Sequence, residues 1–421
     1  MERRFLARLG VAHSENVARC SGRNGVRRQM KIQVVSPWWP EPSSVFAGVF
    51  VQKQVDAVRS SNVAVDVEVP TIFPAPVGPI AESVLDCYAK LGQQDPGAAY
   101  FHCSGATFVP SLVPSGSGFA GRCDAFAESL KTKRLALPST GDVVHAHLAV
   151  PTGWAVGRID GRPLVVTEHQ STLAAIFAQP EARDRYELVI REAAKFFCVS
   201  DYLKNQIVKE FGDWAASRIE IMPNIVDLAT IDFVPRTEFR FSSWIYVGSL
   251  LAHKGTQDLL RAFASYRSLF DAAATLTLVG DGVLRPWVER YCAANGISGS
   301  VNIVGSQPHK EIGKFLEGAD VLVHLSASET FGIASLEAIG AGLPVVSYRN
   351  GGAESSWGDF EDRCGVFLDR SASPEEVAQA IDRLRTNPQN LDLVAGRKMV
   401  EKRFSSELVA DCLIRAYEEC L

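Results

Sequence analysis

The sequence predicts an α/β protein made of two Rossmann-like, doubly wound domains facing each other across a cleft. Three observations predict it. Apolar runs of strand length recur along both halves with amphipathic stretches between them, each run ends in a Gly, Ser or Pro turn, and 421 residues suit two domains better than one very wide sheet. Short, fully apolar strands alternating with helices are the pattern of parallel sheets covered on both faces.

The elements can be taken in order. Residues 1–30 carry seven arginines against two glutamates, and their short apolar stretch is broken by Arg8. They read as a disordered arm rather than a signal peptide, with Met30 as an alternative start. Residues 31–235 form the expected N-terminal Rossmann-like domain, with strands at KIQVVS, VAVDVEVP, DVVHAHLAV, PLVVTEH, FFCVS and IEIMPN. The Gly, Ser and Pro-rich stretch from Gly92 to Gly121 reads as an insertion or loop. A seam is expected in the polar stretch from Asp227 to Phe241. Residues 236–403 form the second Rossmann-like domain, with strands at FSSWIYVGS, ATLTLVGDG, VNIVG, DVLVHLS, LPVVSY and GVFLD and an amphipathic helix at TQDLLRAFASYRSLF. Residues 404–421 form a last helix.

Composition narrows the function. The balance of 43 basic and 48 acidic residues, net −5, removes the case for a strongly basic nucleic-acid binder, and 47% hydrophobic with 22% charged residues is globular. The nine cysteines are odd in number and contain no C-x-x-C pair, which fits a reducing cytosol. No apolar run is long enough to span a membrane.

In open parallel sheets, ligands sit beyond the carboxyl ends of the strands. The most informative strand end is residues 326–346, SASETFGIASLEAIGAGLPVV. A strand ending at Leu325 passes through a small-residue loop, and a helix begins near Phe331 and ends by Gly342. The amides of Thr330, Phe331, Gly332 and Ile333 are then unpaired helix-start donors, with Gly332 leaving room for close approach, which makes a phosphate seat. Glu329 before the helix and Glu337 within it bracket that seat, and each carboxylate can accept hydroxyls of a sugar or ribose. A capping role for Glu329 and a solvated helix position for Glu337 are the plainer alternatives, but Leu336, Ala338 and Ile339 make the second helix face too apolar for a solvated carboxylate. His145 and His324 read as core histidines, and His147 and His169 as strand-end residues of the cleft. Trp38, Trp39, Phe46 and Phe50 read as core or as an acceptor-facing or membrane-facing patch. Ala125–Leu135 reads as a solvated or a membrane-surface helix.

The 326–346 stretch resembles the glutamate, seven residues, glutamate signature of retaining glycosyltransferase family 4, which has the GT-B fold. Tyr246–Gly255, Leu278–Gly282, Met222–Asn224 with Asp227, Phe46–Gln54, Asp142–His147 and Thr167–His169 resemble further segments of that family in the same order. The resemblance spans roughly residues 31–415 and implies a hexosyltransferase-type enzyme that uses a nucleoside-diphosphate-sugar and retains anomeric configuration. It implies that Lys254, the amides of residues 330–333 and the Gly48 loop hold the diphosphate, that Glu337 holds the ribose and Glu329 the transferred sugar, and that His169 reaches the sugar from the first domain. Gly280 joins the donor-binding set, with His147 and Asn224 as acceptor or cleft residues. Ser249 stands where the family usually has an arginine. The last helix is expected to cross back to the first domain.

The chain contains no Asp-x-Asp, so a lysine and a helix dipole, without metal or other cofactor, are expected to stabilise the leaving diphosphate. The expected acceptor is a glycan or lipid-linked glycan of polysaccharide or lipopolysaccharide synthesis, handled in the cytoplasm or at the inner face of its membrane, with no nucleic-acid partner. Two rivals stay open. One is a glycosidase with Glu329 and Glu337 as its carboxylate pair. The other is a catalytically degenerate nucleotide-sugar-binding or carbohydrate-binding protein on the same fold, for which Ser249 is the main argument.

Overall fold

A computed structural model describes residues 30–41, 46–75, 100–236 and 238–421. The arm at 1–29 lies outside the described residues. The chain divides into two compact units, unit 1 comprising residues up to Pro223 together with Val409–Leu421, and unit 2 comprising Asn224–Leu408.

Unit 1 holds an eight-stranded sheet of β1 (Lys31–Val35), β2 (Ala64–Ala75), β3 (Phe101–Cys103), β4 (Ala106–Pro114), β5 (Val143–His147), β6 (Leu164–Glu168), β7 (Lys195–Cys198) and β8 (Ile219–Ile221). The order is β3-β4-β2-β1-β5-β6-β7-β8. Every pairing is parallel except β3 with β4. Ile32, Val34, Val35, Val143 and Val144 are buried, as strands covered on both faces require.

The Gly92–Gly121 stretch needs correction where it is described. Residues 92–99 lie outside the described residues, but Phe101–Pro114 forms the β3–β4 hairpin and Gly118 opens a helix to Ala136. Phe108, Val109 and Val113 of β4 are buried beside β2. Prolines and serines concealed a strand whose alternation is that of a sheet margin. In the helix Gly118–Ala136, Phe126 and Leu130 are buried, and Lys133 and Arg134 both pair with the buried Glu68. Lys133 and Arg134 therefore serve an internal ion network, whereas Arg122 and Lys131 of the same helix are exposed.

Unit 2 holds β9 (Ser243–Val247), β10 (Thr275–Val279), β11 (Val301–Gly305), β12 (Val321–His324), β13 (Val345–Tyr348) and β14 (Gly365–Leu368). The order β11-β10-β9-β12-β13-β14 is parallel throughout. Numbered within the unit this is 3-2-1-4-5-6, the doubly wound order whose ligand crevice opens between the first and fourth strands. Trp244, Phe263 and Tyr266 are fully buried in its core, and each contributes roughly 1.5–3 kcal/mol by leaving water.

The boundary between units lies earlier than the expected 235/236. Residues 224–236 belong to unit 2 because backbone and side-chain bonds tie them to it: the Val226 amide donates to Phe404 O at 2.9 Å, the Val234 amide to Ala341 O at 3.1 Å, and the Arg236 side-chain Nε to Gly342 O at 2.9 Å. The last helix, Ser406–Glu418, passes from unit 2 into unit 1, and its Tyr417 hydroxyl meets His145 Nδ1 at 2.7 Å.

Candidate active site

In unit 2 the switch between β9 and β12 sets two strand-end loops side by side. The first runs from Gly248 through Lys254 to Gly255, which caps the helix Thr256–Leu269 in a left-handed conformation, φ 72°. A Cβ at Gly255 would lie 1.9 Å from the Leu325 carbonyl oxygen, so only glycine lets this loop approach the end of β12. The second loop, Ser326–Gly332, leads into the helix Ile333–Gly340 with Gly332 as a left-handed N-cap, φ 86°.

This apposition brings Lys254 and Glu329 together although 75 residues separate them: Nζ donates to Oε1 at 2.8 Å, with the carboxylate only 14% exposed. His324 Nε2 stands 3.6 Å from the same oxygen. Burial alone would raise the Glu329 pKa, but the Lys254 charge, the nearby His324 and hydrogen bonds from Lys254 and Ser326 outweigh it and hold the carboxyl below its ordinary value. Glu329 is thus an ionised acceptor. His324, read from the sequence as a core residue, is buried as expected and nevertheless touches the site. Burial, more than the opposing pull of Glu329, lowers its pKa.

The helix start matches the expected seat to within a turn, beginning at Ile333 rather than near Phe331. Among the described residues, no hydrogen bond ends on the amides of Phe331, Gly332, Ile333 or Ala334. Phe331 and Gly332 are buried, whereas Thr330, Ile333 and Ala334 are half-buried. Glu337 lies on the same helix, 4% exposed, and its Oε1 is 2.6 Å from His309 Nε2. The carboxylate is more enclosed than a simple bracket around the seat required, and it already has a partner. Sequence reasoning missed His309 because it sits in the loop after β11, where no pattern marks it. It also missed the Asn350–Gly352 loop, whose Asn350 carbonyl accepts from the Glu329 amide at 3.3 Å. A Cβ at Gly352 would lie 2.4 Å from the Phe331 nitrogen. The paired glycines at a strand end were a usable signal for that loop.

Gly280, φ 143°, is a packing glycine: a Cβ there would lie 1.9 Å from the Gly248 oxygen. Ser249 is exposed, and its carbonyl accepts from the Tyr246 hydroxyl at 2.8 Å. Asn224, at the start of unit 2, is 4% exposed, and its Oδ1 makes no hydrogen bond among the described residues.

In unit 1 the corresponding switch lies between β1 and β5. Gly48, φ 69°, caps the helix Val49–Ser60, and a Cβ there would meet the Trp38 oxygen at 2.3 Å. Trp39 is buried with its indole nitrogen donating to Ser104 O at 3.0 Å, whereas Phe46 is 39% exposed. Phe50 packs on His169 with ring centroids 4.7 Å apart. His145, His147 and His169 stack in succession at 4.5 and 5.1 Å. His147 Nδ1 and His169 Nε2 share a hydrogen bond of 2.9 Å, while His145 bonds Tyr417 and Thr167. His145 is the core residue expected. His147 and His169, both expected to face a cleft, are 1% and 6% exposed, with the stacked rings and Phe50 packed against them.

Glu168 between them was overlooked. Its buried carboxylate accepts from the amides of Ala149, His169 and Gln170 at 3.0, 2.9 and 2.8 Å and from the Tyr186 hydroxyl at 3.0 Å. Burial raises its pKa, and these bonds pull in the opposite direction. It ties the ends of β5 and β6 together. Among the described residues, no three His, Cys, Asp or Glu side chains gather in a geometry fit for a metal ion, and no helix is long and apolar enough to cross a membrane.

Burial pushes the His145 pKa down to about 3 from 6.5, and burial also holds that of His147 well below its ordinary value, with His145 and His169 adding to the effect there. Both rings are neutral in the folded protein, whereas in the unfolded chain they take up protons below about pH 6.5. Their contribution to stability is therefore present above that pH and is lost as pH falls towards about 3. Urea unfolding midpoints should drop steadily from about pH 7 to about pH 5, and substitution of His145 by Gln should flatten that slope.

Two doubly wound sheets, one parallel throughout and one parallel but for its β3–β4 hairpin, with loops converging at each switch point, are the architecture of the GT-B class. Two family descriptions match the chain in succession, Glycosyltransferase Family 4 over residues 91–230 and Glycosyl transferases group 1 over residues 242–399. The chain belongs to this family of glycosyltransferases. It is 25% identical over 283 residues to the uncharacterized glycosyltransferase MJ1178 of Methanocaldococcus jannaschii, covering 66% of this chain and 75% of the relative. The sucrose-phosphate synthase of Thermosynechococcus elongatus has a similar structure, with a TM-score of 0.70 and 17% identity over 93% of this chain and 98% of that one. So has Anabaena HepE, solved in complex with UDP, at 0.65 and 18% over 92% and 99%.

Proposed function

We propose that the protein is a retaining, metal-independent glycosyltransferase that moves a hexose from a nucleoside-diphosphate-sugar to a glycan or lipid-linked acceptor of polysaccharide or lipopolysaccharide synthesis. The observation that carries this reading is the Lys254–Glu329 pair at the mouth of a glycine-capped helix that also carries the buried Glu337. Lys254 and the helix-start amides stabilise charge on the departing diphosphate. Glu337 accepts from the ribose, Glu329 from the transferred sugar, and His169 of unit 1 acts on the same sugar.

The reaction is a front-face displacement. The bond from the anomeric carbon to the phosphate oxygen breaks with its electron pair going to the diphosphate, the acceptor oxygen bonds to the anomeric carbon on the same face, and the acceptor proton passes to the departing phosphate oxygen. A glycosidase needs one carboxyl of the pair protonated by a raised pKa. The lowered pKa of Glu329 speaks against that role for it. The absence of Asp-x-Asp from the sequence supports metal independence, and the setting we propose is the cytoplasm, at the inner face of its membrane.

The UDP bound by the HepE neighbour makes UDP-sugars the first donors to test. Purified protein offered a panel of donors with and without chelator should release nucleoside diphosphate from one of them only when acceptor is present, equally in both conditions. Tight nucleotide binding with no turnover on any donor and acceptor would favour the degenerate binding protein, and loss of turnover with chelator would overturn the metal-free mechanism.

A further inference from the structure

We propose that one ordered water molecule occupies a small cavity in unit 1 between Gln54 and the histidine stack, bridging the Gln54 amide to His147, and that Gln54 acts through it as a positioning residue for His169. Gln54 lies on the helix Val49–Ser60 and is 2% exposed. Both its Nε2 and its Oε1 are buried without a hydrogen-bond partner among the described residues. A primary amide brings two donor hydrogens and two acceptor lone pairs, and burying it wholly unpartnered is rare because each lost bond costs free energy.

The space beside it explains how the amide is satisfied. A cavity is lined by Val34, Val55, Val58 and Val65 on its apolar side and by Gln54, His145, His147 and Tyr417 on its polar side. All eight residues are buried, and the centre of a water-sized sphere has about 10 Å³ to occupy, enough for a single molecule. A cavity with apolar walls alone stays empty, whereas a buried water needs two to four polar partners. Here Gln54 supplies both kinds. The one ring hydrogen bond of His147 among the described residues runs from Nδ1 to His169, which leaves Nε2 for the water. The Tyr417 hydroxyl, already bonded to His145, retains further hydrogen-bonding capacity.

The consequence reaches His169 through proton placement. A neutral imidazole carries one N–H, so the direction of the water bond at His147 Nε2 decides whether His147 Nδ1 is donor or acceptor. That choice decides in turn which nitrogen of His169 is protonated, because the two rings share the Nδ1–Nε2 bond. This last step rests on the reading that His169 acts on the transferred sugar, whereas the water site does not.

The experiment therefore has readouts that separate the two. A crystal structure of the full chain, at a resolution that shows ordered water, should place one density peak within hydrogen-bond reach of Gln54 and His147. An empty cavity would overturn the proposal. Gln54→Met keeps the volume and removes the amide. If the cavity holds the bridging water, this variant melts at a lower temperature; if the amide is dry and unpartnered, the same variant melts higher, and the proposal fails. Nitrogen-15 shifts of His169 should move in Gln54→Met, and kcat should fall about tenfold, the equivalent of about 1.4 kcal/mol, with KM nearly unchanged. Unaltered His169 shifts would overturn the positioning role. Altered shifts with unaltered turnover would leave the water in place and refute the part assigned to His169 in transfer.

Discussion

Glu337→Ala is expected to weaken binding of the nucleoside diphosphate by on the order of a hundredfold to ten-thousandfold. Two hydroxyl bonds to an ionised carboxylate are worth roughly 1.5–3 kcal/mol each, and each 1.4 kcal/mol is a factor of ten. The variant also leaves His309 without the acceptor that it meets at 2.6 Å, so a modest loss of stability accompanies the loss of affinity. Calorimetric titration with UDP reads the first and thermal unfolding the second. Because the carboxylate is nearly enclosed, a ribose bound as proposed would either displace His309 or share Glu337 with it. Glu337→Gln, which keeps one acceptor oxygen, should retain an intermediate affinity. Wild-type affinity in Glu337→Ala would remove the ribose role and with it the main argument for how the donor is held.

Lys254→Met is expected to lower kcat by roughly a hundredfold to a thousandfold, the cost of removing one preorganised group from a developing negative charge. Its second effect is on pH dependence. In the wild type Glu329 has a folded pKa below its ordinary 4.5, so its contribution to stability is present above that value and is lost as pH falls through the folded pKa. Without Lys254 the burial effect dominates, since only His324 and Ser326 still oppose it, and the folded pKa rises above 4.5. The sign then reverses: protonation favours the folded variant, and its stability falls as pH rises through that window. The gap in unfolding free energy between wild type and variant should therefore be widest near neutrality and narrow towards about pH 4. A gap independent of pH would show that Lys254 does not govern Glu329.

Much of the fold was readable from local pattern. All twelve apolar runs marked as strands are strands, because a strand buried on both faces has no position at which a polar residue is tolerated cheaply. The two strands overlooked, β3 and β4, lie at the sheet margin: β4 carries proline and serine, which local propensity assigns to loops, and β3 is only three residues long. In the site, Glu329, Gly332 and Glu337 were legible because glycine and carboxylate at a strand end carry their chemistry in residue type and spacing, and Lys254 through the resemblance of Tyr246–Gly255 to the family. His309, Asn350 and Gln54 were not, since each owes its importance to a partner from a separate element.

The linear chain thus determined two doubly wound domains and a helix start beside two acidic residues, since these follow from periodicity and from conformations few residues can adopt, whereas the part of Lys254 came from the resemblance to the family alone. Tertiary structure alone decided which groups meet. The neighbouring positions of β9 and β12 bring Lys254 to Glu329, His309 occupies one Glu337 oxygen, and three histidines from two strand ends stack behind Phe50. Those pairings depend on strand order and burial, which join residues far apart in sequence and which no local pattern records.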